Sequence, residues 1–203
     1  MEKLSQKQVW DKIAEDWNKY RQKPIPEVIE FLNNKSGKVL DLGCGSGRHL
    51  IESEEIKFYE ADFSEEMIRF AKENAEKKEI NAEFFVADAS KLPFESNFFD
   101  SAIYIAALHC LDSENLRKKS IEELHRVLKP NSQALITVWS KNHIKLVNHP
   151  KDATVKWKKQ TEELYRYYYL YDKQELEDLL EQSGFKIKSI KEDNKNIEVI
   201  VEK

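Results

Sequence analysis

Three glycines fall in one five-residue window, Gly43-Cys-Gly45-Ser-Gly47, introduced by Asp41. The chain has only five glycines in all. Concentrating them here marks a backbone that turns sharply and meets a ligand with no side chain in between. Asp62 stands nineteen residues past Gly43. An acid at that distance, at the end of the next strand, can take both hydroxyls of an adenosine ribose. Glu60 competes for the role, and a lone acid at a strand end is ordinarily just solvated. A dehydrogenase-type G-x-G-x-x-G/A turn needs a small residue at position 48, where Arg48 stands. The bland alternative is a structural glycine-rich turn.

Elements must bring these residues together. Ser5 can cap a first helix whose apolar positions, Val9, Trp10, Ile13, Ala14, Trp17 and Tyr20, recur at helical spacing. Pro24 and Pro26 end it, and Pro26 opens a short helix to Asn33. Strands are expected at Lys38–Leu42, Ile56–Glu60, Ala82–Ala87, Phe99–Ile105 and Gln133–Trp139. Between them lie a short helix Arg48–Glu52, a Ser64-capped helix Glu65–Lys77, and a helix Glu114–Leu128 stopped by Pro130. Asp172 and Glu175 suggest a capping box for a helix Lys173–Gln182, and Phe185–Lys191 and Ile197–Glu202 close as neighbouring antiparallel strands. Repeated strand–helix units mean an α/β fold: a mostly parallel sheet covered on both faces, with a C-terminal antiparallel hairpin.

Composition narrows the class. The chain of 203 residues is expected to be one unit, 1–203, with a full hydrophobic core. Its longest apolar stretch, Ala102–Leu108, is far short of the roughly 20 residues that span a bilayer. Cys44 and Cys110 form no C-x-x-C pair, so neither a disulfide framework nor a cysteine zinc site is expected, and a reducing cytoplasm fits. The histidines show no metal-ligand spacing. A pI near 5.8 argues against a generic nucleic-acid coat. Charge is uneven, however: Trp139–Gln160 holds six lysines against Asp152 alone, a local +5 that leaves −9 on the rest. This basic stretch, part of a substrate-side insertion at about 140–170, is either a solvated loop or a surface for an anionic ligand.

The glycine loop, Asp62 and the run Ala87-Asp88-Ala89 together resemble S-adenosylmethionine-dependent methyltransferases of the class I, Rossmann-like, seven-stranded kind. That resemblance implies S-adenosylmethionine as cofactor. It implies cofactor contacts at Asp41, Gly43, Gly45, Gly47, Asp62, Asp88, Ala89 and Ile105. In such enzymes the acid after the third strand meets the adenine amine, and the next amide meets the ring. Both ends of the chain narrow the likeness to the tRNA wobble-uridine carboxymethyl methyltransferases. Arg21, Lys23, Pro24 and Pro26 match that family's T-R-Y-K-P-W-P entry, from which Tyr20, Gln22 and Ile25 depart. Phe99–His109 resembles F-D-A-x-I-S-I-A-V-I-H, and Glu123–Trp139 resembles E-L-x-R-L-L-R-P…V-W, with Asn131-Ser132 replacing glycines. Val155-Lys156-Trp157 resembles V-P-W, and Tyr165–Tyr171 resembles R-Y-Y-H-h-F with Tyr169 in place of the histidine.

The resemblance implies a methyl ester formed on the carboxylate of 5-carboxymethyluridine in a tRNA anticodon. A carboxyl group with pKa about 4 is already ionised at neutral pH, so no dedicated base is needed. Cations should orient it, and Arg21 and Arg166 are the first candidates; the alternatives are an exposed helix-end charge and a surface pair with Glu162 or Glu163. His109 is either a substrate contact or a structural histidine. The tyrosine run can stack on unpaired bases, with about half its rings expected in the core. The family also implies a small zinc-binding activator on the outer strand, Ala82–Ala87, apolar on both faces. An acceptor that is a small molecule, or a non-catalytic cofactor-binding subunit, stands as the alternative.

Overall fold

The computed structural model describes residues 4–159 and 162–203. Two helices, α1 (Gln6–Tyr20) and α2 (Pro26–Leu32), precede the sheet. Ser5 and Gln8 close a reciprocal capping box on α1, and Val9, Trp10, Ile13 and Ala14 form its buried face. Pro26 opens α2, as the fixed φ of proline favours.

The sheet strands are β1 (Gly37–Leu42), β2 (Ile56–Asp62), β3 (Ala82–Val86), β4 (Phe99–Ile105) and β5 (Leu128–Trp139). A two-stranded excursion follows, β6 (Asp152–Lys159) and β7 (Glu162–Tyr169), and then β8 (Lys186–Glu192) and β9 (Asn196–Glu202). The main sheet has seven strands in the order β3-β2-β1-β4-β5-β9-β8. The first five are parallel, and β9 pairs antiparallel with both β5 and β8. The chain runs outward from β1 to β3, then crosses back to β4. That reversal opens a crevice at the carboxyl ends of β1 and β4, where ligands of open α/β sheets bind.

Helices α3 (Glu65–Lys77), α4 (Glu114–Val127) and α5 (Lys173–Gln182) complete the fold. One core cluster joins Leu40, Leu42, Tyr104 and Ile136 to α4 and α5. A second packs Val39, Phe58 and Ile103 against α2. A third, made by Trp10, Ile13, Met67, Leu164 and Tyr168, seats α1 between α3 and the β6–β7 hairpin.

Four local expectations are corrected. Residues 48–52 form a turn followed by irregular chain, not a helix, and the Arg48 side chain reaches away to the Lys23 carbonyl. Pro130 does not stop α4; the helix ends at Val127, and Pro130 lies inside β5, beside a bulge where Asn131 takes φ 64°. The capping box of α5 does not form. Lys151 draws Asp172 (2.6 Å) and Glu175 (2.7 Å) toward the hairpin instead. The basic stretch is not simply a loop, because its second part is β6. Lys156 pairs with Glu163 across the hairpin, so part of the +5 is neutralised within the fold. Gln160 and Thr161 of the expected insertion lie outside the described residues.

Candidate active site

A cavity of about 300 Å³ opens at the crevice. Gly43, Cys44 and Gly45 line one wall, Asp62 and Phe63 the next, and Ala87, Asp88 and Ala89 the far end. Trp10 and Trp17 of α1 cover it, and Ile105, Ala106, Ala107 and Cys110 form the side below β4. Of the eight expected cofactor residues, Gly43, Gly45, Asp62, Asp88, Ala89 and Ile105 therefore meet in one cavity. Asp41 and Gly47 stand behind its lining.

Gly45 is at the turn itself. Its φ of 56° suits glycine, and its amide donates to Asp62 Oδ2 at 2.9 Å. The other oxygen of Asp62 accepts from the Ser64 amide at 2.9 Å. The carboxylate is thus fixed at the tip of β2 with lone pairs left over for a diol. Burial pushes its pKa up to about 6, against the two amide bonds and with the help of the Asp41 charge. Glu60, the competitor, is fully buried beneath the loop and does not reach the cavity; burial and Asp41 hold its carboxyl well above the ordinary range. Asp41 lies beside His49 Nδ1, 3.4 Å away, also under the loop. Gly47 serves packing: a Cβ there would sit 3.2 Å from Ala71 of α3 and 2.9 Å from Leu50.

Asp88 folds back on Ser90, accepting from its amide and hydroxyl at 2.8 Å, which sets the turn after β3. Ala106 takes φ 52° where β4 ends, held by Thr137, whose carbonyl and hydroxyl each accept its amide at 3.0 Å. A non-glycine residue in this region marks a constrained position.

Next to the cavity stands a cluster of rings and N–H groups. Arg166 is buried within it (6% exposed). Its guanidinium lies 4.8 Å from the Trp157 ring, 5.8 Å from Trp17 and 5.9 Å from Trp10, and donates to the Tyr168 hydroxyl at 2.6 Å. No carboxylate pairs with it among the described residues, so the alternative of a surface pair with Glu162 or Glu163 is not realised. Those acids take Lys12 and Lys156 instead. His109 is fully buried, stacked on Trp139 at 5.3 Å, and accepts the Trp139 amide on Nδ1 at 3.2 Å. Burial, aided by the charge on His143, pushes its pKa down to about 3, so the ring is neutral with its proton on Nε2. Arg166 Nε, His109 Nε2, Trp10 Nε1 and Trp157 Nε1 are all buried donors without an acceptor. Arg21 is exposed, its guanidinium 5.0 Å over the Trp17 ring.

Sequence reasoning assigned Trp10, Trp17 and Tyr20 to one buried helix stripe; Trp10 is buried and Trp17 half-buried, but Tyr20, at the last turn of α1, is exposed. The same reasoning singled out neither Ala106 nor Cys110, and Arg48 only as the residue that breaks the dehydrogenase pattern. Tyr168 and Tyr171 are core, Tyr167 and Tyr169 half-buried, and Tyr165 exposed.

Can the cavity hold the expected cofactor? The open face of Gly45 suits it, since a Cβ there would meet nothing closer than 3.5 Å within the protein, and a fixed carboxylate stands in the wall. Fold, loop and cavity define an S-adenosylmethionine-dependent methyltransferase, and residues 33–184 match the methyltransferase-domain model. The chain is 31% identical over 223 residues to a Schizosaccharomyces pombe tRNA (carboxymethyluridine(34)-5-O)-methyltransferase, covering 97% of this chain and 95% of that one. An Arabidopsis thaliana enzyme of the same name is 42% identical over 142 residues, 69% of this chain and 34% of the relative. The chain belongs to the family of tRNA (carboxymethyluridine(34)-5-O)-methyltransferases; it spans about a third of the Arabidopsis relative and a fifth of a Xenopus tropicalis one. A crystal structure from Pyrococcus horikoshii shares the fold with TM-score 0.73 and 27% identity, covering 87% of this chain and 88% of that one. A Haloferax volcanii methyltransferase, solved in complex with the Trm112 methyltransferase activator, shares the fold alone: TM-score 0.72 and 16% identity, over 95% of this chain and 96% of that one.

Proposed function

We propose that this chain esterifies the carboxylate of 5-carboxymethyluridine at the wobble position of tRNA. The observation that carries this reading is the Arg166 cluster: a buried guanidinium with no carboxylate of its own, among further N–H donors that lack an acceptor. Unsatisfied buried donors are costly and rare. A substrate carboxylate would satisfy them.

When bound in this cavity, S-adenosylmethionine would supply the activated methyl for a carboxylate oxygen, with S-adenosylhomocysteine as the leaving group. The acceptor reaches the site already ionised, so the protein need not remove a proton. In this reading Arg166 orients the carboxylate with its planar fork, and neutral His109 offers one N–H donor without neutralising the nucleophile. Arg21 guards the mouth as a second cation. Asp62 holds the ribose, Asp88 and Ala89 the adenine end, Gly43 and Gly45 the approach to the methionine portion, and Ile105 the apolar floor. Asp41 and Gly47 keep the loop in shape from behind. Trp10 and Trp17 exclude water above the reacting atoms.

The strand β3 stands at the edge of the sheet, its residues half-buried and Val86 50% exposed. An edge of this kind supports docking of a zinc-binding activator by strand pairing. Two free cysteines suit a reducing cytoplasm. Among the described residues no helix is long and apolar enough to cross a membrane.

The deciding assay is transfer of labelled methyl to tRNA bearing carboxymethyluridine, followed by mild alkali. Label released by base is the expected result for an ester. Alkali-stable label, or label found only in small molecules from a cell extract, would overturn the reading.

A further inference from the structure

Of the two well-exposed aromatic rings among the described residues, Tyr165 is 48% exposed on the hairpin and Tyr20 is 75% exposed at the end of α1. Single exposed aromatics are ordinary on protein surfaces. Tyr20 is not single. It meets Trp157 at 6.5 Å, Trp157 meets Trp17 at 6.1 Å, and Trp17 meets Trp10 at 5.1 Å. These four rings form a continuous ladder, from the two tryptophans that cover the cavity to a ring in solvent. Arg166 sits against its inner three rings.

The chain after Tyr20 adds charge. Arg21 and Lys23 are exposed and make no ion pair among the described residues, whereas Lys151 and Lys156 of the lysine-rich stretch are paired to acids. This segment is also pinned. Arg48, which lines the cofactor cavity, grips the Lys23 carbonyl with Nε at 3.0 Å and Nη2 at 2.8 Å. The exposed ring and its two cations are thereby tied to the loop that turns past the cofactor.

From this arrangement we infer that Tyr20, backed by Trp157, is a stacking platform for an unpaired nucleobase of the acceptor, with Lys23 meeting a neighbouring phosphate. The inference rests on the tRNA reading above and names the subsite through which the RNA is held. A ring in solvent has the open face that a splayed base needs, and stacking on an aromatic is indifferent to base identity. Tyr20 stands outside the cofactor cavity, so it acts on acceptor affinity alone. The tyrosine run of the hairpin, in contrast, leaves only Tyr165 well exposed, and the Tyr165 hydroxyl is turned to Glu163 at 2.8 Å.

The test uses the whole chain and a synthetic anticodon stem-loop carrying carboxymethyluridine. Binding, KM for methylation, S-adenosylmethionine affinity and melting temperature are measured for Tyr20→Ala, Tyr20→Phe and Tyr165→Ala. The inference expects Tyr20→Ala to weaken stem-loop binding and raise KM by about tenfold or more. Tyr20→Phe should stay within about twofold of the parent, since the ring and not the hydroxyl does the stacking. Cofactor affinity and melting temperature should not move. A Tyr20→Ala protein that binds and methylates like the parent overturns the inference while the tRNA reading stands. So does loss in Tyr20→Phe equal to that in Tyr20→Ala, or loss confined to Tyr165→Ala. A parent protein that neither binds nor methylates the stem-loop removes both readings together.

Discussion

Asp62 holds two backbone amides with its two oxygens and still faces the cavity. Replacing it with alanine is expected to weaken S-adenosylmethionine binding by about 2 kcal/mol, roughly thirtyfold, in calorimetry on the folded variant. With a folded pKa near 6, protonation competes with the cofactor, so affinity should fall as pH drops through 6 and lose that dependence in Asp62→Asn. Stability carries the opposite sign. The folded pKa lies above the unfolded value of 3.8, so the folded state binds the extra proton between the two. Asp62 therefore contributes stability at low pH that is lost as pH rises toward 6, at about 1.4 kcal/mol per unit. In urea unfolding the parent should lose about 1 kcal/mol between pH 4.5 and 5.5 relative to Asp62→Asn. Arg166→Gln should impair methyl transfer and leave cofactor affinity intact, measured by kcat/KM and calorimetry; equal loss in both would remove it from the acceptor side. That Gly43, Gly45 and Asp62 would share one cavity was legible because a glycine turn after one strand and an acid at the end of the next lie together at the carboxyl edge of a parallel sheet. Trp10 and Trp17 were not, because a ring over a cavity and a ring in a core occupy the same helical stripe. Nor does alanine at position 106 advertise a positive φ, which Thr137 of another strand imposes.

At the scale of elements, α1 is more than a cover. Ser64 caps α3, accepting from the Met67 amide at 3.1 Å, and donates to Asp11 of α1 at 2.6 Å. One hydroxyl thus fixes the helix that follows Asp62 and the helix that roofs the cavity. Ser64→Ala is expected to cost about 1 kcal/mol through the cap alone, which for a chain of this size lowers Tm by about 2–4 °C. Calorimetric scanning checks it, and cofactor affinity should fall with it as α1 loosens. Helix bounds carried by local chemistry, as at Glu65–Lys77, were readable to the residue. The absent helix at 48–52 and the unmade capping box at Asp172 were not. In both places a long side chain, Arg48 or Lys151, answers to a partner distant in sequence.

For the molecule as a whole, the mostly parallel sheet and the terminal hairpin were expected from the run of strands and helices, and the edge position of β3 from the family resemblance; the strand order itself came only with the structure. What alternation could not give was the separate sheet of β6 and β7, because a lysine-rich strand paired across acids looks like a solvated loop. The activator reading makes its prediction at this scale. Co-expression with a zinc-binding activator should raise soluble yield and activity, and Val86→Lys on the exposed edge should abolish the gain without lowering Tm. Size exclusion with light scattering follows the complex; a parent that stays monodisperse and fully active alone would argue against it.

The main sheet lets the chain go and takes it back at a single point. Ser140 bridges Tyr171, the Lys141 amide donates to the Tyr171 carbonyl at 2.8 Å, and the Tyr171 amide donates to the Trp139 carbonyl at 3.0 Å. The hairpin that carries Trp157 and Arg166 runs out from that clasp and also touches α4, where Arg117 donates to the Tyr167 hydroxyl at 3.3 Å, and α5, where Lys151 meets Glu175 at 2.7 Å. Its outer attachment is to α1, through Gln6 at the backbone of Tyr165 and Tyr167 and Lys12 at Glu162. Of these residues only Gln6 lines the cofactor cavity, and it holds the hairpin by its backbone. Residues 141–170, exchanged while α1 is kept, are thus an inheritable cartridge. A chimera built at this clasp is expected to keep its affinity for the donor while changing what it marks, so new acceptor chemistries can arise by swapping one stretch of gene rather than by rebuilding an enzyme.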